Sequence, residues 1–253
     1  MHNPALAARN KLLNTESAFQ VLDRARALEA TGRDVVHLEI GQPDFPTPGH
    51  IVDAAFKAVQ DGATGYAPTV GIPELREAVA EYTAVSRGVD VTPERVVITP
   101  GAKPIMFFSL LACVEAGDEV IYPDPGFPIY ESVIRFIGAK PVPIPLRESL
   151  GFRFDVDELR ELVTPKTRML IVNSPGNPTG GVLGDRELDA IGDLATANRF
   201  WVLSDEVYSR LLYGSAHRSI LSYDGMADLT ILLGGGSKTY AMTGWRLGWG
   251  VMP

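Results

Sequence analysis

The chain has 253 residues, 45% hydrophobic and 21% charged, which is typical of a globular protein with a sizeable buried core. Its formal net charge of −8 argues against a broad nucleic-acid or anionic-membrane surface, since both need a basic face. The single cysteine, Cys113, excludes a disulfide within the chain and favours a reducing, cytoplasmic location. The histidines lack metal-ligand spacing, so no metal site is predicted, and neither a membrane span nor a secretory signal is expected.

Helical and strand patterns alternate along the chain, which predicts an α/β fold. In chain order the predicted elements are helix 16–30, strand 35–40, helices 50–60 and 72–86, strand 95–99, helix 103–115, strand 119–122, helix 128–137, strands 140–144 and 169–173, helix 185–197, strands 201–204 and 230–233, and a last strand in RLGWG (246–250). Strands such as MLIVN (169–173) are apolar throughout. We therefore expect a mostly parallel sheet of about seven strands with helices on both faces.

Polar or glycine-rich residues follow several predicted strands, at 99–102, 173–175, 204–206 and 234–236. The carboxyl ends of parallel strands gather at one edge of an open sheet, and ligands bind at that edge. The sequence thus predicts a ligand site built from these strand ends.

Lys238 follows a strand and three glycines, where the backbone can approach a ligand closely. A lysine held there among apolar or cationic groups can lose its proton and attack a carbonyl to form a Schiff base. Arg246, further along, adds a planar donor group that suits a phosphate. Taken singly, each is more often a solvated surface charge.

Asp205 ends the apolar run in FWVLSD. A carboxylate there can pair with a protonated pyridine nitrogen and keep the ring of a cofactor an electron sink. An aspartate after a strand is as often a helix N-cap. This residue alone does not separate the two interpretations.

Four weaker signals accompany these residues. Asn177 lies in the turn NSPGNPTGG, where its amide can donate to a ring oxygen, and Tyr208 can supply a second donor. The junction TPGAKP offers the backbone N–H groups of Ala102 and Lys103 to an anion at a helix start. Phe127, in a loop after a strand, can stack on a planar ring. Alone, each is more simply a turn, a helix start or core packing.

Five motifs together resemble the fold-type I pyridoxal-phosphate enzymes, and within them the class I and II aminotransferases of the aspartate aminotransferase type. The motifs are GQPDFPTP (41–48), YAPTVGIPELREAVAEY (66–82), NSPGNPTGG (173–181), SDEVY (204–208) and SKTYAMTGWRLG (237–248). They occur in the family's order and spacing and cover nearly the whole chain. The resemblance implies transamination between an L-amino acid and a 2-oxo acid, with pyridoxal 5'-phosphate as cofactor.

The resemblance also implies a role for each matching residue. Lys238 would be the Schiff-base lysine that moves a proton between the substrate Cα and the cofactor, with Asp205 and Tyr208 as its catalytic partners. The implied cofactor and substrate contacts are Asp205 on the pyridine nitrogen, Asn177 and Tyr208 on the ring oxygen, Phe127 on the ring face, Arg246, Ser237 and the backbone at Ala102 and Lys103 on the phosphate, Gly41 on the substrate, and Tyr66 on the phosphate of a neighbouring subunit's cofactor. The implied assembly is a homodimer.

The sequence departs from the family in two places. The family continues beyond Pro253 into a small domain that carries the arginine for the substrate carboxylate. We therefore expect residues 1–45 to contribute to an incomplete small domain, residues 46–253 to form the large cofactor-binding domain, and the C-terminal small domain to be absent. The second departure is LLGGGSK, where the match at Ser237 is loose and the added glycine is expected to loosen the loop.

Four other functions are weighed against transamination, and the first is a fragment that binds pyridoxal phosphate without full activity, which stays open. A P-loop nucleotidase is disfavoured because Ser237, not glycine, precedes Lys238. An effector-sensing transcription regulator is disfavoured because no helix-turn-helix segment precedes GQPDF. A lyase on the same scaffold, such as a carbon–sulfur lyase or a cyclopropane-forming synthase, would use nearly the same residues and stays open.

Overall fold

The computed structural model describes residues 5–13, 17–214 and 216–253, and the predicted start of the first helix at residue 16 lies outside them. The helices are α1 (Ser17–Glu29), α2 (Gly49–Gln60), α3 (Pro73–Arg87), α4 (Lys103–Cys113), α5 (Ile129–Phe136), α6 (Val156–Leu162), α7 (Asp185–Asn198) and α8 (Gly236–Thr239). The strands are β1 (Val96–Pro100), β2 (Glu119–Asp124), β3 (Lys140–Pro145), β4 (Thr167–Asn173), β5 (Trp201–Asp205), β6 (Thr230–Gly235) and β7 (Leu247–Val251).

The strands form one sheet in the order β1-β7-β6-β5-β4-β2-β3. Strand β7 pairs antiparallel with β1 and β6, and the other neighbouring pairs are parallel. The predicted mostly parallel, seven-strand sheet is confirmed. The carboxyl ends of β4, β5 and β6 consequently lie side by side at one edge.

Helices cover both faces of the sheet, as β4 illustrates. Leu170 and Val172 pack with residues of α6 and α7 in one buried cluster, whereas Met169 and Ile171 pack with α4 and α5 in another. Successive side chains of a strand point to opposite faces, so this alternation places a core on each side. It also explains why the strand is apolar at every position.

Three elements differ from the sequence prediction, and one of them is the unpredicted four-residue helix α8. Residues 35–40 were expected to form a strand, but they have no regular structure, and Val36 and Leu38 are 81% and 88% exposed. Alternating apolar residues do not make a strand where no neighbouring strand accepts their backbone hydrogen bonds. Conversely, α6 was not predicted, although Asp155 caps it by accepting hydrogen bonds from the backbone N–H groups of Asp157 and Glu158.

The segment 33–48 runs without helix or strand past the carboxyl edge of the sheet. Its attachment includes Thr47, whose hydroxyl donates to the Ala241 carbonyl at 2.6 Å and accepts from the Trp245 indole at 3.1 Å. These contacts tie the segment to the loop between β6 and β7. Within the described ranges, no helix is both long and apolar enough to cross a membrane.

Candidate active site

An open cleft of about 710 Å³ lies at the carboxyl edge of the sheet. Every site residue predicted from the sequence lines it except Tyr66, namely Gly41, Ala102, Lys103, Phe127, Asn177, Asp205, Tyr208, Ser237, Lys238 and Arg246. Tyr66 is fully exposed away from the cleft. The strand ends thus bring together residues that are up to 205 positions apart in sequence, as expected for this edge of an α/β sheet.

Asp205 is the last residue of β5 and faces the cleft. Burial raises the pKa of its carboxyl group to about 6, and the neighbouring negative charge of Glu206 also raises it. Two donors oppose this effect, namely the Tyr130 hydroxyl at 2.6 Å and the Val207 backbone N–H at 3.3 Å. The carboxylate form therefore predominates at neutral pH in a mostly apolar surrounding.

Tyr130 is a site residue that the sequence analysis missed. Its ring meets the Phe127 ring edge-on, with the centroids 5.6 Å apart, and its hydroxyl donates to Asp205. Burial raises the pKa of Tyr130 well above its usual range, so the hydroxyl stays a donor. The available signal was its position three residues after Phe127, at the turn that begins α5, where the Tyr130 backbone N–H donates to the Phe127 carbonyl at 3.1 Å.

Asn173 is the second residue that was missed, and it joins two strand ends. In the parallel register of β4 and β5 it lies beside Asp205. Its side-chain amide donates to the Asp205 carbonyl at 3.3 Å, and its side-chain oxygen accepts from the Asn177 backbone N–H at 2.7 Å. Asn173 thereby holds the turn that carries Asn177, whose peptide bond to Pro178 is cis.

Lys238 lies in the short helix α8, directly after β6. Its ammonium group donates to the Gly41 carbonyl and lies 5.9 Å from the centroid of the Tyr208 ring. Burial lowers the pKa of Lys238, because the cleft disfavours the charged form. A lysine with a lowered pKa is a better nucleophile at neutral pH.

One end of the cleft, lined by Ala102, Lys103 and Arg246, is suited to an anion. Ala102 precedes the first turn of α4, so the N-terminal end of this helix, with its partial positive charge, lies at this end of the cleft. Arg246 packs against Gly101 so closely that a Cβ at residue 101 would lie 2.2 Å from the guanidinium, and Gly101 has φ +84°. The Arg246 guanidinium is further held by the Thr243 carbonyl at 2.8 Å. Lys103 lies 5.4 Å from the Phe127 ring centroid at the side of this end.

The glycines before Lys238 do not form the loosened loop expected from the sequence. Gly234 and Gly235 are buried residues of β6, and Gly236 begins α8. A Cβ on Gly234 would lie 2.4 Å from the indole nitrogen of Trp249 in β7. The glycines therefore permit close packing between two strands and fix the position from which Lys238 extends.

Comparisons with known proteins identify a single family. The family model for "Aminotransferase class I and II" matches residues 33–253. The chain is 43% identical to aromatic-amino-acid aminotransferase 2 of Thermococcus litoralis and 42% identical to the aspartate aminotransferase of Pyrococcus abyssi, over 98% of this chain and 64% of each relative. The structure of Thermus thermophilus aspartate aminotransferase with maleate superposes with a TM-score of 0.95 at 39% identity, covering 99% of this chain and 65% of that one. This chain therefore spans about 64% of the length of the curated relatives.

Proposed function

Because this chain belongs to the class I and II aminotransferases, we propose that it binds pyridoxal 5'-phosphate and transfers an amino group between an L-amino acid and a 2-oxo acid. The observation that carries the proposal is the shared cleft. It presents a lysine with a lowered pKa, a carboxylate at the end of a buried strand, and an arginine beside a helix start.

The donor set fits this cofactor group by group. Its phosphate suits the end formed by Arg246 and the first turn of α4, with Ser237 on the same wall. Its pyridine nitrogen needs a carboxylate that keeps it protonated. Asp205 lies in the cleft, and the hydrogen bond that it accepts from Tyr130 favours its carboxylate form. The cleft volume of about 710 Å³ leaves room for a bound substrate as well.

Pyridoxal phosphate, when bound, supplies an electron-withdrawing ring that stabilises negative charge at the substrate Cα. The role of Asp205 is to keep a proton on the pyridine nitrogen, because its carboxylate form accepts a charge-assisted hydrogen bond there. Asn177 and Tyr208 would donate to the ring oxygen, and Phe127 would cover one ring face. These side chains hold the ring still while charge develops, so their donors need no reorganisation.

Lys238 performs the two steps assigned to the protein. Its neutral amine would hold the cofactor covalently, with the carbonyl oxygen lost as water, and the same amine, when free, would accept the proton of the substrate Cα. The Gly41 carbonyl accepts a hydrogen bond from Lys238 Nζ, which holds the amine within the cleft when it is free. Lysine thus acts first as a nucleophile and then as a proton carrier.

The names of the relatives support transamination over the lyase alternative. The relatives at 38–43% identity are named aspartate, aspartate/prephenate or aromatic-amino-acid aminotransferases, or in one case a transaminase of (5-formylfuran-3-yl)methyl phosphate. The donor amino acid is not part of the proposal, since these names differ in substrate.

The assembly and location are further parts of the proposal. Tyr66 is fully exposed and would reach the cofactor phosphate of a second subunit in a homodimer. Residues 1–45 would contribute to a small domain and residues 46–253 form the large domain. A cytoplasmic location rests on the single free cysteine, Cys113.

Absorbance spectroscopy tests the proposal directly. Pyridoxal phosphate is added to the purified chain and to Lys238→Ala, and we expect a lysine-dependent absorbance band in the parent alone. A Lys57→Ala variant, which removes an exposed lysine of α2 outside the cleft and keeps Lys238, is the matched control and should retain the band. Folded parent and Lys238→Ala proteins with identical spectra would contradict the assignment of Lys238.

A further inference from the structure

A buried polar cluster lies behind the site, on the side of β5 that does not face the cleft. It is centred on Glu206, whose side chain is 2% exposed. We call it the Glu206 cluster and define it as Arg87, Ser204, Glu206, Ser209, His217 and Ser219. None of these residues lines the cleft, and none has a role in the proposed chemistry.

Four donors converge on the Glu206 carboxylate. One oxygen accepts from Arg87 Nε at 2.7 Å and faces His217 Nε2 at 2.9 Å, and both of these side chains are 6% exposed. The other oxygen accepts from the hydroxyls of Ser204 at 2.9 Å and Ser219 at 2.5 Å. The donors come from the end of α3, from β5 and from the 217–219 loop, so three parts of the chain meet at one carboxylate.

Arg87 also reaches beyond Glu206. Its Nη2 donates to the Ser209 hydroxyl at 2.8 Å. The Ser209 backbone N–H donates to the Glu206 carbonyl at 3.0 Å, so residues 206–209 form a tight turn. One guanidinium therefore bridges the first and fourth residues of this turn, which a single ammonium group cannot do with the same geometry.

The turn carries the residues proposed to hold the cofactor ring. Asp205 immediately precedes it and Tyr208 is its third residue. On the front side, Asp205 is held through its carbonyl by Asn173, and the Glu206 backbone N–H donates to the Leu233 carbonyl at 2.9 Å. The Glu206 cluster fixes the same segment from behind.

Burial alone would raise the pKa of Glu206. The hydrogen bond and charge of His217, the charge of Arg87 and the Ser219 hydroxyl overcome that effect and lower the pKa below its usual range. Buried ion pairs add little net stability, because desolvation of both charges offsets their attraction. What such a pair supplies here is one defined geometry of the turn.

We propose that Glu206 is a positioning residue that acts with Arg87 to hold Asp205 and Tyr208 in register with the cofactor ring. The identity of the ligand rests on the proposed function, but the positioning of the turn is a property of the chain without cofactor. The cluster orients the turn, and Asp205 and Tyr208 touch the ring.

The test compares Glu206→Gln with the parent and with Glu119→Gln. Glu119 is a matched control, since it is a buried carboxylate that accepts from Lys140 at 2.9 Å and Thr164 at 2.6 Å, at the start of β2 and thus at the opposite edge of the sheet. Two quantities are measured, namely amide hydrogen exchange at residues 207–211 without cofactor and the dissociation constant for pyridoxal phosphate from its absorbance.

We expect Glu206→Gln to exchange faster at 207–211 and to bind pyridoxal phosphate about tenfold more weakly with an altered band shape, whereas Glu119→Gln matches the parent. Ser209→Ala removes only the outer arm of the bridge and keeps the variant close to the parent in stability. It should weaken binding about threefold in the same assay.

Equal exchange at 207–211 and equal affinity in Glu206→Gln, Ser209→Ala and Glu119→Gln would overturn the proposal. A Glu206→Gln protein that does not fold leaves the decision to Ser209→Ala. A parent without a Lys238-dependent band would contradict the proposed function instead, and the hydrogen-exchange comparison, made without cofactor, would still support or overturn the positioning of the turn.

Discussion

The carboxyl edge of the sheet and the segment 33–48 both border the cleft, but they are held in different ways. Buried strands end at Asp205 and Asn173, and Lys238 lies in the short helix that directly follows a third. The backbones of these strands are paired with those of their neighbours. The segment has no regular structure, and its Val36 and Leu38 side chains are exposed. The part of the cleft proposed to hold the cofactor is therefore built into the core, whereas the part proposed to face the substrate, at Gly41, depends on a few local contacts.

The largest effect is expected when the Asp205 carboxylate at the carboxyl edge of the sheet is removed. Asp205→Ala should lower the rate of the proposed transamination about a thousandfold, because the proposed partner of the cofactor's pyridine nitrogen is lost. The half-reaction of the cofactor-loaded chain with an amino acid, followed by absorbance, measures this. Asp185→Ala, which removes an exposed carboxylate of α7, is the control and should leave the rate unchanged.

A second substitution tests whether the edge depends on close strand packing. Gly234→Ala would place a Cβ 2.4 Å from the Trp249 indole, so the free energy of unfolding should fall by about 1–3 kcal/mol. Gly49→Ala, in the region next to the segment, meets no atom within 4 Å and should leave stability nearly unchanged. Urea denaturation measures both, and equal stability of the two variants would show that β6 and β7 adjust freely.

A third substitution concerns pH. Below its pKa of about 6, the carboxyl group of Asp205 is mostly protonated and loses the negative charge proposed to pair with the protonated cofactor nitrogen, so binding should weaken as the pH falls through that value. Tyr130→Phe removes a donor that favours the carboxylate, so the pKa of Asp205 rises and the acid limb moves up by about one pH unit. Cofactor titrations between about pH 4.5 and pH 8 measure the shift. Tyr122→Phe, without a contact to Asp205, should show none.

The smallest effect is expected in the segment. Thr47→Val removes the hydrogen bonds to Ala241 and Trp245 and should weaken cofactor binding only about twofold. Its free energy of unfolding should fall by less than about 1 kcal/mol, because both contacts are near the surface. An effect as large as that of Gly234→Ala would show that the segment is as firmly integrated as the sheet.

The sequence predicts well what depends on strand ends. Lys238, Asp205 and Asn177 follow apolar strands, and the rule that parallel strands bind ligands at their carboxyl edge places them together. Tyr130 and Asn173 were missed because their importance comes from a contact with Asp205, which only the folded chain displays. The strand expected at 35–40 was wrong for a similar reason, since periodicity does not reveal whether a neighbouring strand exists.

The glycines before Lys238 show the limit of reasoning from one residue type. Glycine raises the conformational entropy of the unfolded chain, which suggested a loose loop. In the structure, the same absence of a side chain lets β6 approach Trp249, so the segment is buried. Which effect dominates depends on the neighbouring strand, and that strand is specified elsewhere in the sequence.

The reversed direction of β7 has a consequence for the size of the ligand. Because β7 runs antiparallel to β6, its first residues, not its last, lie at the carboxyl edge. Arg246 and Lys238 therefore both lie in the connection between β6 and β7, which the pairing of Gly235 with Gly248 anchors at the carboxyl edge. The length of this connection therefore contributes to the distance between the two charged side chains. We expect a residue inserted between Thr239 and Arg246 to change this distance, and with it the length of ligand that fits, while both charges are kept.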